Sequence, residues 1–92
     1  MPLFAIIARN RPDAANLRAE NRPAHLDHVA SLGDRLNSAG PLLDEAGEPA
    51  GSLVIADFSD LAAARAFARD DPYARAGLFQ EQSVQGWTRV LP

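Results

Sequence analysis

The sequence predicts an α+β domain with the element order strand, helix, strand, strand, helix, strand. Two strongly apolar runs, Leu3–Ala8 and Ser52–Phe58, are rich in branched side chains and indicate central strands whose two faces are both covered. Each run is followed by a segment whose apolar residues recur every three or four positions, as in a helix with one buried face. This order is typical of the ferredoxin-like βαββαβ fold, an antiparallel sheet with both helices on one face.

The first helical region is predicted to extend as far as Gly40–Pro41, where the pair ends it. Asp13 is suited to cap a short helix that reaches about Glu20. Asn21 is suited to cap a second helix, in which Pro23 occupies the first turn. The residues predicted to share the inward face of this second helix are His25, Val29, Leu32 and Leu36.

The remaining strands surround the second apolar run. A short strand is predicted from Pro41, and it leads into a turn at residues 45–51. The last strand is predicted from Leu78 to about Val90. Gly86 interrupts its alternation and predicts a bulge or bend there.

The second helix follows Ser59 and Asp60, either of which is suited to cap it. After this helix, Asp71 and Pro72 are the normal first pair of a new helical turn, which Gly77 would end. The residues predicted to face inward from the second helix are Leu61, Ala64, Phe67 and Ala68.

Composition narrows the class of protein. A chain of 92 residues forms one domain, residues 1–92. The absence of cysteine excludes disulfides, thiolate metal ligands and a thiol nucleophile. Acids and bases are interspersed at a net charge of −3, so no nucleic-acid partner is expected. The first apolar run is too short to span a membrane and lacks the order of a secretory signal, which predicts a cytoplasmic protein.

The same two apolar strands predict a homodimer. A chain this small has a thin stability margin, and its helices can cover only one face of the sheet. Strands as apolar as Leu3–Ala8 do not leave a face in water. A second copy of the sheet is the natural cover.

Two inward polar residues are the candidates for chemistry. His25 lies on the apolar face of its helix, and Asp71 follows the inward face of the second helix. A carboxylate beside an imidazole orients the ring and stabilises its charged form, as in general base catalysis. Two structural interpretations stay open: His25 as a satisfied core residue, and Asp71 as a helix cap.

Other polar residues near this pair have weaker signals. Arg22 precedes His25 by one turn, near a predicted helix N-terminus, and is suited to bind an anionic oxygen. Tyr73 is suited to hydrogen-bond in a pocket or to pack with its hydroxyl at the surface. Asp70 is expected to face solvent. His25 and His28 have a spacing that suits a shared metal, but no third ligand matches, so no metal site is predicted. No glycine pattern predicts a cofactor phosphate site.

The chain resembles the YciI-like, or YCII-related, family. The resemblance spans nearly the whole chain in order and rests on Arg22-x-x-His25, Ala39-Gly40-Pro41, Gly51-Ser52, Asp71-Pro72-Tyr73, Gly77-Leu78-Phe79 and Trp87. It implies a ferredoxin-like protomer of the dimeric α+β barrel group. It also implies an active site formed by a histidine and an aspartate, which correspond to His25 and Asp71. Relatives that share this fold include muconolactone isomerase, and a dehydrochlorinase of aromatic breakdown is grouped with the family. The resemblance therefore implies proton-transfer chemistry on small molecules.

Three functions are compatible with these features. The first is an enzyme of proton transfer, an isomerase or a lyase acting on a phenolic, lactone or small carboxylate substrate. In it, His25 and Asp71 would be catalytic, while Arg22 and Tyr73 would bind substrate. The second is a non-catalytic module that binds a small ligand or a partner. The third is a structural dimer whose inward polar residues satisfy each other.

Overall fold

A computed structural model describes residues 2–92. Four strands form one antiparallel sheet in the order β2-β3-β1-β4. This is the predicted ferredoxin-like α+β fold, and the prediction is confirmed. The elements in chain order are β1 (Leu3–Asn10), α1 (Ala15–Ala30), β2 (Leu36–Leu43), β3 (Pro49–Asp57), α2 (Leu61–Arg69), α3 (Pro72–Arg75) and β4 (Phe79–Trp87).

The core lies between the helices and one face of the sheet. Alternate residues of the two central strands point toward the helices, and Phe4, Ile6, Val54 and Ala56 are buried there. The side chains packed on them are Val29 of α1, Leu32 just after this helix, and Ala64 and Ala68 of α2. Small alanines on α2 let that helix approach the sheet closely. The two helices are thereby fixed over one face.

The opposite face of the sheet is apolar and bears no helix. Strand alternation directs Leu3, Ala5 and Ile7 of β1 to this side. Ala5 pairs with Ile55 and Ile7 pairs with Leu53, so β3 continues the apolar surface. Ile7, Leu53 and Ile55 are only half-buried. The surface formed by Leu3, Ala5, Ile7, Leu53 and Ile55 is called the open face below.

The first helix differs from its prediction. One helix covers Ala15–Ala30, without a break at Asn21, and Pro23 lies inside it. Asn21 does not cap: its side-chain amide donates to the Leu17 carbonyl 2.9 Å away. Asp13 also does not cap, because it has a left-handed φ of 58° and the helix begins after Ala14. The local cap signals were wrong because packing of the buried His25 and Val29 holds the helix together past Pro23.

The chain after this helix is also reassigned. The helix ends before a short 3-10 turn, Gly33–Arg35, in which Gly33 has a left-handed φ of 57°. Leu36 therefore begins β2 and is not on the helix face, and Gly40–Pro41 lies within that strand. Proline is tolerated there because β2 is an edge strand.

Three smaller predictions are corrected. The turn between β2 and β3 is shorter than predicted, and Asp44 Oδ1 accepts hydrogen bonds from the backbone N–H groups of Ala46 and Glu48. Strand β4 ends at Trp87, and its register with β1 shifts beside Asn10 and not at Gly86.

The second helix is close to its prediction. Asp60 is its cap, accepting from the Ala63 N–H at 2.8 Å. Leu61 is the exception on the inward face, since it is exposed. Among the described residues, every helix falls short of the length and apolar character that a membrane crossing requires.

Candidate functional site

A cleft of about 200 Å³ opens between α1 and the edge of the sheet formed by β2 and β3. Helix α1 contributes one wall, the two strands contribute the opposite wall, and α3 closes one end. A cleft of this size suits a ligand of one ring, since the pockets of drug-sized ligands have volumes of roughly 300–1,000 Å³. The lining residues used below are Arg18, Arg22, His25, Ala39, Pro41, Ser52 and Tyr73.

His25 and Asp71 meet at this end of the cleft. The imidazole Nδ1 lies 2.9 Å from Oδ1 and 3.0 Å from Oδ2 of the carboxylate, and both side chains are buried. The predicted approach of the two residues is confirmed. A carboxylate only accepts hydrogen bonds, so Nδ1 carries a proton and donates it. In the neutral ring, Nε2 is then the basic nitrogen.

Asp71 also begins α3. Its Oδ1 accepts a hydrogen bond from the Tyr73 N–H at 2.9 Å, and Pro72 occupies the first helical position. Gly77 ends this turn with a left-handed φ of 79°. The cap and the histidine contact are therefore made by the same carboxylate. The capping bond fixes the carboxylate toward His25, because its backbone partner cannot rotate away.

Tyr73 supports the imidazole from the side. Its ring is fully buried and stacks on His25 with centroids 4.0 Å apart and planes 14° from parallel. The guanidinium of Arg18 lies over the same tyrosine ring at 4.9 Å from the centroid. Burial raises the pKa of the Tyr73 phenol, and the charge of Asp71 adds to this, while Arg18 and Arg22 act in the opposite direction.

The cleft wall on α1 is cationic. Arg18 and Arg22 lie one helical turn apart on the side that carries His25, and both line the cleft. Of the residues from 2 to 92 that line the cleft, none carries a carboxylate. Arg22 lies in the middle of α1, so the predicted help from a helix N-terminus was wrong. What favours an anion here is the pair of guanidinium groups.

Two polar lining residues were not predicted as part of the site. Arg18 was placed in a separate short helix, and the continuity of α1 brings it to the cleft. Ser52 lies on β3, 7% exposed, and its Oγ has no hydrogen-bond partner among residues 2–92. The only sequence signal for Ser52 was its place in the Gly51-Ser52 motif.

The remaining candidates are structural in this chain. His28 donates from Nε2 to the Phe67 carbonyl at 2.9 Å and stacks on the Phe67 ring, so it joins α1 to α2. Asp70 is half-exposed and pairs with Arg75 at 2.9 Å. Within the part of the chain that the structure describes, no three His, Asp or Glu side chains come close enough to hold a metal.

The sheet order, the helices on one face and the cleft are those of an α+β protein with the fold of the dimeric α+β barrel group. A family model for the YCII-related domain matches residues 2–88, and the chain belongs to this family. It is 38% identical to Protein YciI of Escherichia coli, with 97% of this chain and 99% of that protein covered. An uncharacterized protein of Haemophilus influenzae is 35% identical over 96% of the chain and 98% of that protein. The family resemblance is therefore confirmed.

Solved structures with the same fold include an enzyme. The 5-chloro-2-hydroxyhydroquinone dehydrochlorinase of Burkholderia phenoliruptrix, in complex with 2,5-dihydroxybenzoquinone, has a TM-score of 0.85 and 28% identity; the match covers 94% of this chain and 93% of that one. An antibiotic biosynthesis monooxygenase has a TM-score of 0.59 at 13% identity, covering 99% of this chain and all of the other. The second likeness concerns the fold alone.

The buried phenol generates a prediction about pH. Because the folded state raises the pKa of Tyr73, the folded chain keeps this proton where the unfolded chain releases it. The contribution of this phenol to the free energy of unfolding should be fully present below the ordinary tyrosine pKa of about 10. It should decrease as the pH rises above that value. Tyr73 is the only tyrosine, so its ultraviolet titration reads this group directly. Ionisation at the pH of free tyrosine would contradict the prediction.

Proposed function

We propose that this protein is a small-molecule enzyme in which His25 transfers a proton and Asp71 orients and stabilises it. The observation that carries the proposal is the His25–Asp71 hydrogen bond at the end of a cleft of ligand size. The carboxylate occupies Nδ1, and this leaves Nε2 as the nitrogen that can exchange a proton with a ligand. Stacking on Tyr73 limits rotation of the ring, so we assign Tyr73 to positioning.

The chemistry needs only one group to carry the proton. Nε2 takes a proton from an acidic O–H or C–H of the substrate, and the negative charge of Asp71 stabilises the imidazolium that forms. If the imidazolium returns the proton to a different atom of the substrate, the result is isomerisation. If the imidazolium returns the proton to a ring carbon that bears chlorine, loss of a second O–H proton from the ring then expels chloride from that carbon. The result is elimination of HCl, with the second proton released to solvent.

The substrate class follows from the charge and size of the cleft. Arg18 and Arg22 favour a ligand that carries an anionic or strongly polarised oxygen. The volume favours a single ring or a compound of similar size. A dehydrochlorinase with the same fold and 28% identity supports a hydroxylated ring compound and the elimination branch. Phenolic compounds are therefore preferred over lactones and simple carboxylates.

A binding module without catalysis is the second candidate, because the same cleft would serve it. The enzyme and the binding module differ in the role of the His25–Asp71 pair, which is called the dyad below. In an enzyme, loss of the dyad removes turnover and leaves ligand affinity; in a binding module there is no turnover to remove. The burial of both His25 and Asp71 also fits a structural role for the pair. Measurements of the unfolding midpoint of His25 and Asp71 variants test that role.

The dyad is tested with variants that retain the fold. Asp71→Asn keeps an oxygen for the Tyr73 N–H, because asparagine caps helices as well as aspartate does. With 5-chloro-2-hydroxyhydroquinone as probe, chloride release should fall roughly 10²- to 10⁴-fold in His25→Asn and clearly in Asp71→Asn. Folding is checked by thermal denaturation. A full rate in His25→Asn would contradict the proposal.

The role of Arg22 is tested by binding. Arg22→Gln removes one cationic group from the cleft wall and should weaken binding of 2,5-dihydroxybenzoquinone, an acidic compound, while the unfolding midpoint stays unchanged. Arg65→Gln is the matched control, since Arg65 is an exposed arginine of α2 outside the cleft. Calorimetric titration measures both. Equal affinity in the wild type and Arg22→Gln would remove Arg22 from the site.

We also propose that the chain forms a homodimer through its open face. The half-buried Ile7, Leu53 and Ile55 form a continuous apolar surface that the helices do not cover. A specific interface buries about 800 Å² per partner, which a four-stranded face can supply. Light scattering at micromolar concentration should give twice the chain mass of 9.9 kDa, and Ile7→Lys should give single chains. A wild-type monomer would contradict this.

A further inference from the structure

Ser52 lines the cleft and carries a hydroxyl that the fold does not use. The residue is more than nine-tenths buried on the central strand β3, and its Oγ is buried with no hydrogen-bond partner among the described residues. A buried hydroxyl normally finds a partner, and an orphaned one lowers stability. Ser52 and His25 are both among the residues that line this cleft.

The neighbours of Ser52 explain why the fold itself does not satisfy it. In the sheet register, Ser52 lies opposite Ala8 on one side and opposite Pro41 on the other. Opposed residues of paired strands direct their side chains to the same face, so these two are its side-chain neighbours. Neither side chain has a hydrogen-bonding group. Ser52 therefore lies between two apolar side chains, on the side of the sheet that forms the cleft wall.

The backbone at this point leaves little freedom. A Cβ on Gly51 would overlap the carbonyl oxygen of Ala8, so β1 and β3 approach here as closely as only glycine permits. Ser52 follows on a strand that is paired on both sides. A side chain on such a rigid element holds its position better than one on a loop.

We propose that the Ser52 hydroxyl binds an oxygen of the ligand and thereby determines which oxygenated compounds the cleft accepts. This rests on the proposed function. His25 projects from the helical wall, and Ser52 projects from the sheet wall, so a ring between them contacts both. The hydroxyl donates to a phenolate or quinone oxygen, which the nearby guanidinium groups also favour. Ser52 is a specificity-determining residue: it holds one oxygen while His25 exchanges a proton at another atom.

The test compares Ser52→Ala with Ser59→Ala, whose serine is exposed and lies outside the cleft. The probe is 4-nitrocatechol, a single ring with two phenolic oxygens and visible absorbance. Ser52→Ala should bind its phenolate form roughly 10- to 150-fold more weakly than wild type, as expected for one hydrogen bond to a charged oxygen. Ser59→Ala should bind it as wild type does. The unfolding midpoint of Ser52→Ala should equal or exceed that of the wild type, because the orphaned hydroxyl is gone.

Each contrary result overturns the proposal. Equal affinity in Ser52→Ala and wild type, or no binding of 4-nitrocatechol by wild type, would mean that Ser52 does not anchor such a ligand. An unfolding midpoint lower than that of Ser59→Ala would mean that the hydroxyl is bonded within the fold. Asp71→Asn separates a failure of this proposal from a failure of the proposed catalysis. If only the proposed catalysis is wrong, wild type and Asp71→Asn both bind 4-nitrocatechol and neither turns over substrate. Ser52→Ala still binds 4-nitrocatechol more weakly in that case.

Discussion

The hydrogen bond between His25 and Asp71 joins parts of the chain that are 46 residues apart. Both side chains are buried, and each would be costly to bury alone. The contact fixes α3 against α1, and α3 closes the end of the cleft. The capping bond of Asp71 and the stacking of Tyr73 on His25 depend on the same contact. One polar pair therefore organises the site and the packing around it.

The sequence predicted the fold where hydrophobic pattern and local chemistry agree. The apolar runs of β1 and β3 and the Asp60 cap of α2 are examples. The segment between β1 and β3 was misassigned because its strongest local signals mislead. Pro23 reads as a helix start, yet packing of α1 carries the helix through it. Gly40–Pro41 reads as a helix end, yet an edge strand accommodates it.

The site residues that could be predicted from the sequence are those that follow a helical periodicity. His25 and Asp71 follow helical faces, and a 3.6-residue spacing reveals which side they occupy. Arg18 was missed because its membership of the site requires one uninterrupted helix. Ser52 was missed because β3 is apolar on both of its faces and shows no alternation, and no spacing rule reveals an orphaned hydroxyl. Among residues 2–92 this hydroxyl has no hydrogen-bond partner, and the sheet register places it between Ala8 and Pro41.

The β2 wall of the cleft limits the size of the ligand, and it lies apart from the residues that carry the chemistry. Ala39 lies opposite Val54, on the cleft side of an edge strand, and it is exposed. A larger side chain at position 39 would narrow the cleft without entering the helix-covered core and without touching the His25–Asp71 pair. Related chains can therefore diverge in the compounds they admit through substitutions on this strand, while the proton-transfer pair and the fold stay the same.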